Sequence, residues 1–213
     1  MLFHFEIINF INLVFVFLIA LSFHEAAHAA AANFLGDPTA KNAGRLTLDP
    51  RAHLDPIGAI AIFLFHFGWG KPVPVNPHNF KNPRRDDALV AIAGPAANFF
   101  IAFLATGFLT FFSHSLGAGV SNFFEMLLAI NLLFGVFNLF PLPPLDGGAV
   151  FVGLLPKKIA PPVEIFLKKN GPVIFFTALA IDLFFKIPLI TGPVIFVSGK
   201  IQILFSLFWA NFL

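Results

Sequence analysis

The residues best suited to chemistry are two histidines and a glutamate near the end of the first apolar stretch, in the sequence His24-Glu25-Ala26-Ala27-His28. On an α-helix, positions i and i+4 share one face, so His24 and His28 can direct imidazole nitrogens at one metal ion. Glu25 falls between them, within reach of a metal-bound water. Ionisable groups inside a membrane-spanning helix are costly, so their position there indicates a functional site.

The spacing matches HExxH, the motif with which zinc hydrolases hold a metal ion and place a base beside it. The alternative is a pair of helix histidines that hydrogen bonds alone satisfy. The location of the motif in an apolar helix disfavours that alternative, because polar groups there need a strong compensating interaction. We therefore expect His24 and His28 to bind a divalent ion that suits zinc best, although other divalent ions can use such ligands.

Asp146 is the best candidate for the third ligand that a catalytic zinc requires. The chain has no cysteine, so the ligand has to be His, Asp or Glu. Asp146 follows a predicted membrane helix that runs in the same direction as the helix carrying His24 and His28, which places all three at similar depth. A carboxylate also offsets the charge of Zn²⁺ in a low-dielectric site. Alone, Leu145-Asp146-Gly147-Gly148 would indicate only a turn.

Composition indicates a membrane protein. Of the 213 residues, 58% are hydrophobic and 11% are charged, whereas soluble domains have about 25% charged residues. The net charge of +2 is too small to indicate nucleic acid binding. We predict an all-α polytopic membrane protein with a helical transmembrane core and a short β or re-entrant extended segment.

The basic residues predict the orientation of the chain in the membrane. Eleven of the thirteen lysines and arginines fall in two groups, which are Lys41, Arg45, Arg51, Lys71, Lys81, Arg84 and Arg85, then Lys157, Lys158, Lys168 and Lys169. By the positive-inside rule both groups should be cytoplasmic, and residues 113–121 should lie outside. The N-terminal stretch lacks the basic start of a signal peptide, so we expect a retained helix that begins outside.

Long apolar stretches predict the membrane helices that position the site. We predict a catalytic transmembrane core in residues 1–150, with spanning helices at residues 3–34, 88–112 and 123–140. Residues 151–213 should contain a cytoplasmic connection followed by one or two membrane helices, at residues 173–185 and 189–212. Gly36-Asp37-Pro38 should end the first helix. For Asp182 we predict an ion pair with Lys186, one turn later.

Between the first two spanning helices the pattern changes. Residues 45–48 have a β-like composition, and residues 57–67 are apolar but too short to span a membrane, which favours a re-entrant or interfacial segment. His53 and Asp55 should form local hydrogen bonds. Residues 71–77 must be extended, because their prolines forbid a helix. They could offer an edge strand to a substrate or form a rigid interfacial loop.

Four motifs occur in order along about residues 20–150. They are His24-Glu25-Ala26-Ala27-His28, Lys71-Pro72-Val73-Pro74-Val75-Asn76-Pro77, Ala93-Gly94-Pro95-Ala96-Ala97-Asn98, and a segment from Asn138 to Gly147 that contains Pro141, Pro144, Leu145 and Asp146. In this order they resemble the site-2 protease family of intramembrane zinc metalloproteases. The small bacterial branch without a PDZ domain is the most similar.

The resemblance implies a residue-level mechanism. His24, His28 and Asp146 would bind one Zn²⁺ per chain, Glu25 would act as the general base, and Asn138 would hydrogen-bond the substrate carbonyl or oxyanion. For Asn138 the alternative is helix packing through a bond to a neighbour. For Asn98 we expect a structural role, in the packing of small residues against the first helix.

The implied function is zinc-dependent cleavage of transmembrane segments near the cytoplasmic face, in regulated intramembrane proteolysis. Its partners would be a single-pass membrane protein substrate and the lipid bilayer, in a multi-pass protein of the cell (inner) membrane with its active site toward the cytoplasm. The alternative is a non-proteolytic metal-binding membrane protein, such as a transporter or sensor. A transporter should show repeats and several midplane carboxylates, and a pure binding site has no need of Glu25.

Overall fold

The structure is a computed structural model that describes residues 2–58 and 69–213, with the backbone alone for residues 2–6. Within these ranges the chain is helical, and its long or functionally placed helices are α1 (Leu2–Phe34), α2 (Pro83–Phe112), α3 (Ala118–Asn138), α4 (Asp146–Leu154), α5 (Ala160–Phe185) and α6 (Thr191–Ala210). The all-α class predicted from composition is confirmed.

Four helices of the described residues are long and apolar enough to cross a membrane: Ile7–Phe34, Pro83–Ser115, Ala118–Asn138 and Thr191–Ala210. The first three overlap the stretches predicted to span, at residues 3–34, 88–112 and 123–140. Helix α2 begins five residues before the predicted start at residue 88, because Pro83 occupies its first position and its polar first turn carries no hydropathy signal. The carboxylate of Asp86 accepts a hydrogen bond from the backbone N–H of Asn82 at 2.9 Å, which stabilises this first turn.

Helix α1 ends where the sequence predicts. Gly36 adopts φ +107°, a left-handed conformation that suits glycine. The N–H of Asp37 then donates to the carbonyl of Ala32 at 2.8 Å, which closes the helix end. The Asp37 side chain is fully buried and accepts hydrogen bonds from Thr39, Asn76 and Asn79. The end of α1 is thereby joined to the segment 71–79.

Helix α2 lies at the centre of the helical packing and contacts α1, α3, α4 and α6. Small buried residues allow this close approach, among them Ala91, Gly94, Ala102 and Ala105. Toward the N-terminal half of α1, Ala102 and Ala105 pack with Val16 and with leucines of α3 in one apolar cluster. The other end of α2, around Gly94, faces the histidines of α1.

The region between α1 and α2 differs from its prediction. Residues 45–48 form no strand, and the β-like reading of this stretch was wrong. A single bridge pairs Leu54 with Gly70, and the N–H of Lys71 donates to the carbonyl of His53 at 2.8 Å. The predicted re-entrant segment at residues 57–67 falls largely outside the described residues, so it stays a prediction.

The C-terminal part contains α4, α5 and α6. Helices α5 and α6 are separate, since Lys186 takes a left-handed conformation at the end of α5. The predicted Asp182–Lys186 ion pair was wrong. The Asp182 carboxylate instead accepts hydrogen bonds from the N–H groups of Ile190 and Thr191 at 2.9 and 2.8 Å and from the Thr191 hydroxyl. It therefore caps the start of α6.

Candidate metal centre

The structure brings His24, His28 and Asp146 together. The two Nε2 atoms are 3.0 Å apart, and the Oδ2 atom of Asp146 lies 3.2 Å from that of His24 and 3.3 Å from that of His28. Tetrahedral ligands at normal zinc distances lie about 3.3 Å from one another. The three ligand atoms therefore outline one face of a zinc coordination tetrahedron.

Hydrogen bonds to the far side of each ring determine which nitrogen faces this centre. Nδ1 of His24 lies 2.7 Å from Oδ1 of Asn98, and Nδ1 of His28 lies 2.7 Å from the carbonyl of Val90. Both partners are acceptors, so each ring carries its proton on Nδ1 and turns an Nε2 lone pair inward. This is how metal-binding histidines are normally oriented.

The amide of Asn98 is itself oriented by a buried network. Its Nδ2 donates to the carbonyl of Ala20 at 3.0 Å and to Oδ1 of Asn131 at 2.9 Å. With both N–H groups used in this way, Oδ1 has to face His24. Asn98 and Asn131 are fully buried. The predicted structural role of Asn98 is therefore incomplete, because its side chain also orients His24.

Asp146 is the first residue of α4, where the chain packs closely against the end of α3. A side chain at Gly147 would collide with the backbone carbonyls of Leu139 and Phe140. One at Gly148 would come within 2.8 Å of Pro143. The two glycines thus let α4 begin directly beside the end of α3, and this position carries Asp146 to the histidines of α1.

These residues fit a zinc ion. Two inward-facing lone pairs and a carboxylate oxygen would repel one another at 3.0–3.3 Å unless a cation lay among them. Oδ2 of Asp146 is also buried without a hydrogen-bond partner in the described part of the chain. Two imidazole nitrogens and one carboxylate oxygen are the donor types that a catalytic zinc takes, with a fourth position open to water.

Glu25 lies next to this centre on α1, and its side chain is buried. Its Oε2 atom has no hydrogen-bond partner among the described residues and lies 4.0 Å from Nη2 of Arg45. A buried carboxylate oxygen with a free lone pair beside a metal centre can accept a proton from bound water.

A cavity of about 630 Å³ opens onto the centre. Its walls include His24, Glu25, His28 and Asp146, and otherwise are mostly apolar and aromatic, with Val73, Phe134, Phe137, Phe175 and Phe176. Asn138 also lines it. One N–H of the Asn138 amide donates to the carbonyl of Phe134 at 2.9 Å, a bond within α3 and not between helices. The second N–H forms no hydrogen bond within the part of the chain that the structure describes.

Reasoning from the sequence missed two residues beside the centre. Arg45 appeared only as a cytoplasmic charge, yet its guanidinium is buried and faces Glu25. Gly94 appeared only as a small packing residue, yet a Cβ there would lie 2.6 Å from Cε1 of His28 and 2.7 Å from Cε1 of His24. For Gly94 the sequence contained one signal. This residue belongs, with Asn98, to one of the four motifs on which the family resemblance depends.

Comparison with known proteins identifies the class. The sequence pattern of peptidase family M50 matches residues 109–179. YwhC of Bacillus subtilis, whose name describes a zinc metalloprotease, is 44% identical over 152 residues, which cover 68% of this chain and 69% of YwhC. The chain therefore belongs to peptidase family M50, the site-2 protease family, and is a zinc-dependent metalloendopeptidase of the membrane.

A second relative supports the same assignment. Rip2 of Mycobacterium tuberculosis, also named for a zinc metalloprotease, is 36% identical over 148 residues, which cover 66% of this chain and 56% of Rip2. The chain thus spans little more than half of the length of Rip2. No solved structure matches the chain.

Proposed function

We propose that this metalloendopeptidase cleaves transmembrane segments of single-pass membrane proteins, or of remnants of such proteins, close to the cytoplasmic face. The observation that carries the proposal is the cavity of about 630 Å³, which joins a His-His-Asp centre to aromatic walls. Mostly apolar walls suit the side chains of a membrane segment. The carboxylate of Glu25 supplies a base, which a transporter or sensor site would not need.

In this proposal His24, His28 and Asp146 hold the zinc ion. A zinc ion held there would supply a water of lowered pKa and would polarise the substrate carbonyl. Glu25 takes up the proton of that water and delivers it to the leaving amine. Asn138 donates its second amide N–H to the substrate carbonyl oxygen as negative charge develops there. The five residues come from α1, the end of α3 and the start of α4.

The substrate has to reach the centre as extended chain, because helical peptide bonds are shielded and already hydrogen-bonded. Residues 71–77 run along the cavity through Pro72, Val73 and Val75. Their inner side is tied to the protein, since Arg45 binds the carbonyl of Pro72 at 2.9 Å and Asp37 binds the N–H of Asn76 at 2.7 Å. These ties favour a firm wall against which an unwound substrate lies.

The cytoplasmic orientation follows from charge. The ends of α1 and α3 and the start of α2 lie on one side of the bundle, where most of the basic residues occur. The chain has no cysteine that could be labelled. A single cysteine introduced at Ser115 or at Lys157 would therefore show on which side of the membrane that position lies. A membrane-impermeant maleimide added to intact cells should label S115C and not K157C. The opposite result would reverse the orientation.

The cleavage itself is tested with purified protein in detergent, loaded with zinc and given a panel of labelled transmembrane segments. We expect chelator-sensitive cleavage, and mass spectrometry of the products should place the cut toward the cytoplasmic end of the segment. Cleavage confined to soluble peptides would contradict the intramembrane assignment. Zinc uptake into proteoliposomes without cleavage would favour the transporter alternative.

A further inference from the structure

Arg45 is a buried charge that the mechanism above does not use. Only 5% of the residue is exposed. Removing a guanidinium from water costs several kcal/mol unless it is paired and hydrogen-bonded. The charged carboxylate closest to it in the described ion pairs belongs to Glu25, with 4.0 Å between Nη2 and Oε2. Of the described ion-pair partners, Glu25 is therefore the one that can offset the cost of burying this guanidinium.

The same guanidinium holds the wall of the cavity. Nη1 donates to the carbonyl of Pro72 at 2.9 Å, and Nη2 donates to the carbonyl of Lys71. Pro72 lines the cavity, as does Glu25. One planar side chain thus bonds the backbone against which the substrate would lie and also lies 4.0 Å from the base.

His53 fixes the orientation of this fork. It is fully buried, and its Nε2 lies 2.8 Å from the carbonyl of Thr47, so Nε2 carries the ring proton. Nδ1 is then an acceptor and lies 3.4 Å from Nη2 of Arg45. With Nη2 committed to Lys71 and His53, the guanidinium attracts the Glu25 carboxylate without forming a hydrogen bond to it. Oε2 accordingly has no hydrogen-bond partner among the described residues.

We propose that Arg45 is a positioning residue of the reaction, which holds the Glu25 carboxylate at a fixed distance from the backbone of Lys71 and Pro72. This inference rests on the proposed function, because it assumes that Glu25 is the base and that the substrate lies along this wall. If Arg45 had only a structural role, it would hold Lys71 and Pro72 in place and would not affect the position of the Glu25 carboxylate.

The first test compares R45K with R51K. Lysine keeps the charge, but its single ammonium cannot reach both carbonyls and the carboxylate in the same geometry. Arg51 is an exposed arginine that pairs with Asp49, which makes R51K a matched control. We expect R45K to lower kcat by at least ~10-fold, as misplaced catalytic groups do, with zinc content close to that of wild type and a lower thermal stability, because at least one buried carbonyl loses its donor. R51K should match wild type in all three.

The second test shows whether Arg45 acts through Glu25. In a double-mutant cycle with E25D, measured in single-turnover reactions, the effect of R45K should shrink to less than ~3-fold, because the base is already displaced. The same cycle can be measured without turnover, as the affinity of the four proteins for a small hydroxamic acid. Binding of this inhibitor needs the zinc and a carboxylate that takes up its hydroxyl proton. Here too the double mutant should lose less affinity than the product of the losses in R45K and in E25D.

Three results would overturn the inference. Two of them are a kcat for R45K within ~3-fold of wild type, and a change in KM and thermal stability with no change in kcat. The third is a loss in the double mutant that equals the product of the two single-mutant losses in both cycles. Each of them leaves wild-type cleavage intact. The absence of cleavage by zinc-loaded wild type would instead contradict the proposed function, so the two failures are distinguishable.

Discussion

The Oδ1 atom of Asn98 on α2 lies 2.7 Å from Nδ1 of His24 on α1, and this contact joins two helices at the metal centre. The bond holds the proton of His24 on Nδ1 and directs Nε2 toward Asp146. The orientation of one proposed zinc ligand therefore depends on a residue 74 positions further along the chain. The consequences for metal binding are measurable.

Replacing Asn98 with alanine should weaken zinc binding by roughly 10- to 100-fold, the usual effect of losing a partner that orients a metal-binding histidine. Zinc affinity of the purified protein, measured by competition with a chromophoric chelator, checks this. N122A is the control, since the amide of Asn122 bonds that of Asn9 at 2.6 Å in a different part of the bundle. Equal zinc affinities for N98A, N122A and wild type would contradict the role of Asn98.

Replacing Gly94 with alanine should lower zinc affinity by at least ~10-fold, because the new Cβ would displace ring atoms of both histidines. The control is G199A, where a Cβ meets nothing within 4 Å. Both glycines lie inside helices, so both variants gain similar helix propensity of about 1 kcal/mol. Zinc binding by G94A at the wild-type level would show that the close approach of α2 does not matter.

Replacing Asn138 with alanine should lower kcat by roughly 10²–10³-fold while zinc content stays unchanged, as expected when an oxyanion donor is removed. N170A is a matched control, since Asn170 forms the same intrahelical bond to a carbonyl four residues earlier but does not line the cavity. If N138A cleaves as fast as N170A, Asn138 serves helix packing alone.

Acid should weaken the junction between α1 and residues 76–79. Burial alone would raise the pKa of Asp37, but the hydrogen bonds from Thr39, Asn76 and Asn79 outweigh it and hold the pKa below its ordinary value. A lowered folded-state pKa means that the carboxylate stabilises the fold above about pH 4 and that this stabilisation is lost as the pH falls through the folded-state value.

The thermal midpoint of wild type should therefore exceed that of D37N at pH 7, and the difference should narrow below about pH 4. The exposed Glu125 provides a control variant, E125Q. A difference between wild type and D37N that stays constant from pH 7 to pH 3 would show that the Asp37 network does not depend on the charge.

Spacing and hydropathy predicted the parts of this protein that are local in sequence. The motif from His24 to His28 and the ends of α1 depend on neighbours within one or two helical turns, so they could be inferred directly. Asp146 could be placed because helix direction restricts depth. The structure brings its carboxylate within 3.3 Å of both histidines.

The parts that could not be predicted depend on contacts between distant residues. The nine-residue helix α4 follows a proline-rich turn and itself begins Asp146-Gly147-Gly148, a composition that favours a loop. Asp182 was assigned to Lys186 because the two are one turn apart, whereas the chain folds back so that the N–H groups of Ile190 and Thr191 are closer. Arg45 binds the carbonyl of Pro72, 27 positions further along the chain. Periodicity in the sequence predicts only near neighbours, so it could not predict this contact.

The central claim is that Glu25 is the base of a zinc-dependent intramembrane cleavage, and the most direct test compares wild type with E25Q on a labelled transmembrane substrate. Glutamine keeps the size of the side chain but cannot accept the proton. We predict equal zinc content in the two proteins and at least ~100-fold slower cleavage by E25Q. Cleavage by zinc-loaded E25Q at a rate close to that of wild type would contradict the account.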